Sequence, residues 1–273
     1  MRCSSESRSL DRVEKLRQRF GFLVDVLRIR QLVSFVLGVL PIQFRQGGMT
    51  VPIRCWSDIL AYNEIFRVRV YDAVLTAEAP NAVCDLGCQS GLMILRMASL
   101  GCAPRKALLI DANPSAIARC RANLKSARLE RYSIIHGAVG CSRNETDWQG
   151  RTVQFGVRPS ELECRLATSG RQKGDKVIDV PVVDLETAWI KSIGDVPCEL
   201  LKMDVEGAEV GVLENDQSFL SRVQRVVLEW HEPFTNRRSA EFTLRGLGFV
   251  DVETICNGES SGVLFASKKR ANC

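Results

Sequence analysis

From Ala82 onward, short apolar runs alternate with segments of helical length, and this order restricts the fold more than any other feature of the chain. Ala82–Leu86 predicts a buried strand, followed by a glycine-containing turn and a helix from Ser90 to Leu100. Lys106–Ile110 predicts a second strand, and Pro114, behind a polar residue, opens a helix running to Ala127. Tyr132–Ile135 reads as a third strand. Between Gly140 and Asp184 the rhythm breaks, with strands expected at Thr152–Val157 and Val177–Val183 and a polar loop holding Ser169, Gly170 and Gly174. It then resumes as helix Leu185–Ser192, strand Glu199–Asp204, helix Glu206–Asn215, strand Arg225–Trp230 and helix Ser239–Leu247. Phe249–Thr254 and Gly262–Ser267 lie close enough to form a C-terminal antiparallel hairpin. Strand and helix in alternation imply a doubly wound, mostly parallel α/β sheet, which binds ligands at the carboxyl ends of its strands.

A chain of 273 residues accommodates one such domain, expected over 49–273, with a helical N-terminal extension over 1–48. The formal charge of +5 is concentrated at the start, where residues 1–54 hold ten Arg/Lys against four acids. Such a basic arm meets nucleic acid, an anionic membrane surface, or solvent alone. Within it, residues 20–44 are apolar, but Asp25, Arg28, Arg30 and Pro41 interrupt them. The uncharged run between Arg30 and Arg45 is shorter than the ~20 residues a spanning helix needs. An amphipathic helix, packed on the body or lying peripherally on a membrane, fits better. The cysteines number eleven, scattered and without a C-x-x-C pair, and read as reduced thiols of a cytoplasmic protein. No apolar segment directly follows the basic start, so no secretory signal is expected.

Four segments carry chemistry. VCDLGCQSGLMIL joins a strand to a helix, with Gly87 and Gly91 allowing a sharp turn and close approach to a ligand, and Asp85 at the strand end. The spacing is D-x-G-x-x-x-G, with Cys88 and Gln89 where a pyrophosphate cradle wants glycine, so a ligand with a cationic amino-acid end suits it better than a dinucleotide. Asp111 ends the next strand, placed to accept hydrogen bonds from ribose hydroxyls. In LLKMDVEGAEVGVL, Lys202, Asp204 and Glu206 alternate with apolar residues and share one side of an extended chain. Charges at the end of a buried strand are costly unless paired or functional. VVLEWHEP repeats the device, with Glu229 and His231 of one parity at the end of the following strand. His136, after the third strand, is expected to pack in the core or beside a nucleobase.

These blocks, together with IRCWSDILAYNEIF and the DLET helix start, resemble the FkbM-type S-adenosylmethionine-dependent O-methyltransferases over residues 50–267. The resemblance implies a class I methyltransferase, Rossmann-like fold. It implies that Asp85, Gly87 and Gly91 line the methionine end of S-adenosyl-L-methionine, that Asp111 holds its ribose, and that Asp204 lies near the transferable methyl.

Methyl transfer to a hydroxyl of a sugar, glycolipid or other natural product needs alignment and removal of the acceptor's proton. His231 is the expected base and Asp204 the second candidate, with Glu229 or Lys202 orienting it. Mg²⁺ held by Asp204 with Glu206 or Glu232 is the less favoured route to the same activation. The strand ending at Asp204 lacks the Asn/Asp-Pro-Pro-aromatic motif that stacks a flipped base, which disfavours nucleic-acid methylation. Competing readings are methylation of another acceptor such as nitrogen, a nicotinamide oxidoreductase, and a nucleoside-binding protein without catalysis.

Overall fold

Pro41 and the Gly47–Gly48 pair divide the N-terminal apolar stretch into a helix and a hairpin. In this computed structural model, which describes residues 29–141, 151–157, 165–166, 176–258 and 260–268, helix α1 covers 29–39. Strand β1 (Ile42–Gln46) then pairs antiparallel with β2 (Met49–Ile53), turning at Gly47 and Gly48, both at positive φ. The boundary expected at residue 48 therefore falls inside a hairpin whose second strand is anchored by the buried Val51 and Ile53. The remainder of the extension, residues 1–28, and the loop with Ser169, Gly170 and Gly174 lie outside the described residues.

Helix α2 (Trp56–Tyr62) runs into a π-helical turn, Asn63–Val68, and α3 spans Asp72–Ala77. The alternation then follows as β3 (Ala82–Leu86), α4 (Leu92–Ser99), β4 (Lys106–Asp111), α5 (Pro114–Ser126) and β5 (Ser133–His136). A three-stranded antiparallel sheet is built from β6 (Thr152–Val157), β7 (Arg165–Leu166) and β8 (Lys176–Pro181) in the order β7-β6-β8. Then come α6 (Leu185–Ser192), β9 (Leu200–Met203), α7 (Glu209–Asn215), α8 (Gln217–Ser221), β10 (Arg225–His231), α9 (Arg237–Gly246), β11 (Asp251–Asn257) and β12 (Ser261–Ser267).

The central sheet has the order β11-β12-β10-β9-β3-β4-β5. Pairing is parallel from β10 through β5, and antiparallel in the C-terminal hairpin and where β12 joins β10. This is the doubly wound, mostly parallel sheet that the strand–helix rhythm predicts. Every residue of β3 is buried, as a central parallel strand covered on both faces requires. Successive residues feed opposite cores: Val83 packs with Leu95, Leu109 and Leu124, while Cys84 and Leu86 pack with Trp189, Met203 and Phe219. Helix α5 starts where expected because the Asn113 side chain accepts from the Ser115 and Ala116 amides ahead of Pro114 in the first turn. The order of strands brings the ends of β3, β4 and β9 side by side, each carrying an acid: Asp85, Asp111 and, just past β9, Asp204.

Candidate functional site

A cavity of about 310 Å³ opens at these three strand ends. Its floor includes Asp85, Gly87, Asp111, Lys202 and Asp204; α2 and the π-turn wall it with Ser57, Leu60, Ala61 and Glu64; Gly137, Ala138 and Phe155 close the far end.

Asp85 is 1% exposed, and neither of its carboxylate oxygens has a hydrogen-bond partner. The nearest cation, Lys202 Nζ, stands 3.7 Å from Oδ1, and burial pushes the acid up to about 6. Lys202 donates instead to the Gly87 carbonyl at 2.9 Å and to Asp204 Oδ2 at 3.0 Å, tying the glycine turn to the end of β9. Burial lowers the lysine, but Asp204 and Asp85 outweigh it, so the ammonium stays charged.

Gly87 has a positive φ, and a Cβ there would stand 1.7 Å from the Asp204 carbonyl oxygen. The expected reason for this glycine was a ligand's approach; the steric reason is the neighbouring strand. Gly91 does not line the cavity: its missing side chain makes room for Cys120 Sγ, 2.9 Å from where a Cβ would be. Asp111 faces the cavity with both oxygens engaged, accepting from the Gln89 amide at 2.8 Å and the Asn113 amide at 2.7 Å, and burial raises it. Those bonds fix the carboxylate and leave further lone pairs for a ligand.

Beyond β9 the chain does not stay extended. Glu206 adopts φ 52° in a tight turn, reaching the cavity by that turn rather than by strand alternation. Burial and the neighbouring Asp204 push it up to about 7. Glu209, fully buried, accepts from the Val205 and Gly207 amides at 3.2 and 2.9 Å and so pins the turn. Its Oε1 also takes a bond from His231 Nδ1 at 3.1 Å, while Nε2 lies 3.5 Å from Glu229 and 3.9 Å from Glu206. Burial lowers the imidazole, but the bonds to Glu209 and Glu229 outweigh it and carry it up to about 11. These bonds favour the protonated ring, and neither His231 nor Glu229 is among the residues lining the cavity.

Asp204, Glu206 and His231 offer donor atoms within 4.8 Å of one another, a grouping able to ligate a metal when His231 is neutral. Glu232 is not part of it; the residue is exposed and turned to the β11–β12 side, where its amide donates to Ser260. His136 bonds the Ala112 carbonyl at 3.0 Å, supporting the segment after β4.

Sequence reasoning passed over two groups. Glu64, on the π-turn, faces the cavity and accepts from Tyr71 Oη at 3.1 Å. Burial, then Glu229 and Asp204, push it up to about 7. Glu209 is the other. Both stood in quoted blocks, Glu64 in AYNEIF and Glu209 in EGAE, but only the tertiary fold brings either to the strand ends.

Residues 90–250 match the model of the methyltransferase FkbM domain. No curated protein sequence matches the chain. Similar solved structures include M. capricolum TrmK in complex with S-adenosyl-homocysteine, at 9% identity over 74% of this chain and 68% of that one, with TM-score 0.44. The N-terminal domain of EvdMO1 with SAH bound is 12% identical over 89% and 97%, TM-score 0.46. Precorrin-6y C5,15-methyltransferase from Geobacter metallireducens is 14% identical over 76% and 88%, TM-score 0.44.

Proposed function

With more than half of its length matched, the chain belongs to the FkbM family of S-adenosylmethionine-dependent methyltransferases, and we propose that it methylates a hydroxyl oxygen of a sugar, glycolipid or other natural-product acceptor. The observation that carries this reading is the charge of the cavity. Glu64, Asp85, Asp111, Asp204 and Glu206 face it, against Lys202 and Arg119. A pyrophosphate would be repelled, whereas a sulfonium with an α-ammonium group, net positive despite its carboxylate, is attracted. The Asp85 oxygens, which accept no hydrogen bond and only pair at 3.7 Å with Lys202, suit the ammonium, and Asp111, at the end of β4, suits the ribose.

When bound, S-adenosylmethionine supplies a methyl group activated by the positive sulfur. The protein's own task is to align the acceptor and accept its proton. Glu64 is the group we assign to the proton: it faces the cavity, Tyr71 holds one oxygen, and it ionises near neutral pH. Asp204, held by Lys202, is the second candidate. His231, expected from sequence to be the base, does not line the cavity, and its bonds to Glu209 and Glu229 favour the protonated ring, which supports Glu64 over it in this reading. We assign it to balancing Glu206, Glu209 and Glu229, which supports a base route over Mg²⁺. An acid-lined cavity also favours an uncharged acceptor over a polyanion such as nucleic acid.

Calorimetric titration with S-adenosylmethionine and NAD side by side, followed by a methyl-transfer screen against glycosides and glycolipids, tests the reading. The expected outcome is binding of the first ligand alone and methyl incorporation at oxygen. Methylation confined to amines, with glycosides inert, would replace the acceptor class.

A further inference from the structure

Helix α1 has two apolar faces, and the body covers one of them. Leu37 is 4% exposed and Val33 packs beside it against the core. The helix is tied to the first residue of α2, where Ser34 Oγ accepts from the Trp56 amide at 3.0 Å and the Arg30 guanidinium lies 5.6 Å from the Trp56 ring centre. On the other face, Leu32, Phe35, Val36, Val39 and Leu40 stand at helical spacing, with Leu32 63%, Phe35 71% and Leu40 71% exposed, and Ile42 continues the patch beyond Pro41. Single exposed apolar residues are ordinary; a contiguous stripe marks a contact surface.

The charge around the stripe says what it contacts. From Val26 to Ser57 the chain carries Arg28, Arg30, Arg45 and Arg54 and no acid. The stripe itself holds no charged group and no Tyr or Trp of the kind that anchors protein interfaces. The uncharged run between Arg30 and Arg45 is shorter than the ~20 residues a spanning helix needs, so this segment suits the surface of a membrane rather than its interior. Consistently, among the described residues no helix is long and apolar enough to cross a membrane.

We propose that the outer face of α1, continued by Ile42 in a stretch of sequence with arginines and no acid, docks the protein on an anionic lipid bilayer, with the apolar side chains in the headgroup–acyl boundary and the exposed Arg45 on the lipid charges. The two readings of this segment from sequence, packed on the body or lying on a membrane, then each describe one face of the same helix. The docking does not depend on which acceptor is methylated.

The test is co-sedimentation of the full chain with phosphatidylcholine–phosphatidylserine vesicles and with phosphatidylcholine vesicles alone. The bound fraction should be high on the first, low on the second, and fall as salt rises from 0.05 to 0.5 M, since screening removes the basic contribution. Leu32→Ser/Phe35→Ser/Val39→Ser should cut binding roughly tenfold while S-adenosylhomocysteine affinity, read by calorimetry, stays unchanged. Phe35→Ser alone should give an intermediate loss, which keeps the test open if the triple variant fails to fold. Failure of the wild-type chain to sediment with anionic vesicles overturns the proposal. So does wild-type binding by the triple variant, or light scattering that shows a dimer which the triple variant converts to a monomer without any vesicle binding.

Discussion

Glu64 and His231 are buried against the same carboxylates with opposite results. Glu64 gains like-charged neighbours and is pushed up to about 7; His231 gains counter-charges and is carried up to about 11. An acid raised from its ordinary 4.5 binds more protons folded than unfolded, so its contribution to stability falls as pH rises through about 4.5 to 7 and stays lost above that. An imidazole raised to about 11 stabilises fully below its unfolded value near 6.5, and that stabilisation declines as pH rises from there and is gone above about 11. Glu64→Gln should therefore lower turnover by roughly 10²–10⁴-fold, remove a rising limb of kcat/KM centred near pH 7, and raise Tm at pH 8 by about 3–8 °C. His231→Gln should do the reverse, lowering Tm by about 5–10 °C by leaving buried acids unbalanced, with turnover largely kept and unaffected by EDTA. If Glu64→Gln keeps the wild-type pH profile while EDTA abolishes turnover, the proton is handled at a metal instead. Parity in VVLEWHEP correctly puts Glu229 and His231 on one side. What it cannot supply is the charge state of His231, because Glu209 reaches that ring from a different element.

Elements that bury both faces announce themselves, and those that only wall the cavity do not. β3 and β9, each apolar but for one charged residue, Asp85 and Lys202, are buried along their whole length, and the capping signal at Asn113–Pro114 marks the start of α5. The stretch from Ile42 to Ala77 is different. Its hairpin, α2, π-turn and α3 are short, and their register toward the strand ends follows from docking on a core assembled by residues far along the chain. Hence the sequence leads to Asp85, Asp111 and Asp204 but not to Glu64. The glycine turn illustrates the same division, since its position is legible and its cause is not. Because a Cβ on Gly87 meets backbone of the next strand, while one on Gly91 meets a movable thiol, Gly87→Ala should cost far more than Gly91→Ala. Thermal melts with S-adenosylhomocysteine titrations should show Gly87→Ala both destabilised and unable to bind. A Gly87→Ala protein with wild-type Tm and lost affinity would restore the ligand-approach explanation.

At the scale of the whole molecule, two parallel half-sheets meet at one acid-rich mouth, and pH acts on that mouth as a unit. Asp85 ionises near 6 and Glu64 and Glu206 near 7, so the cavity gains negative charge between pH 5.5 and 8. Affinity for S-adenosylmethionine should rise over that interval, and the ratio of the two dissociation constants, S-adenosylhomocysteine over S-adenosylmethionine, should grow by roughly tenfold, because only the first lacks the sulfonium charge. Calorimetry at both pH values measures the ratio; a constant ratio would mean that the acids face away from the sulfur. The surplus of carboxylates thereby gives the cavity a sense of direction. On the proposed function, walls that attract a cation loosen their hold once the sulfur is neutral, so fresh cofactor is expected to displace spent cofactor at equal concentration.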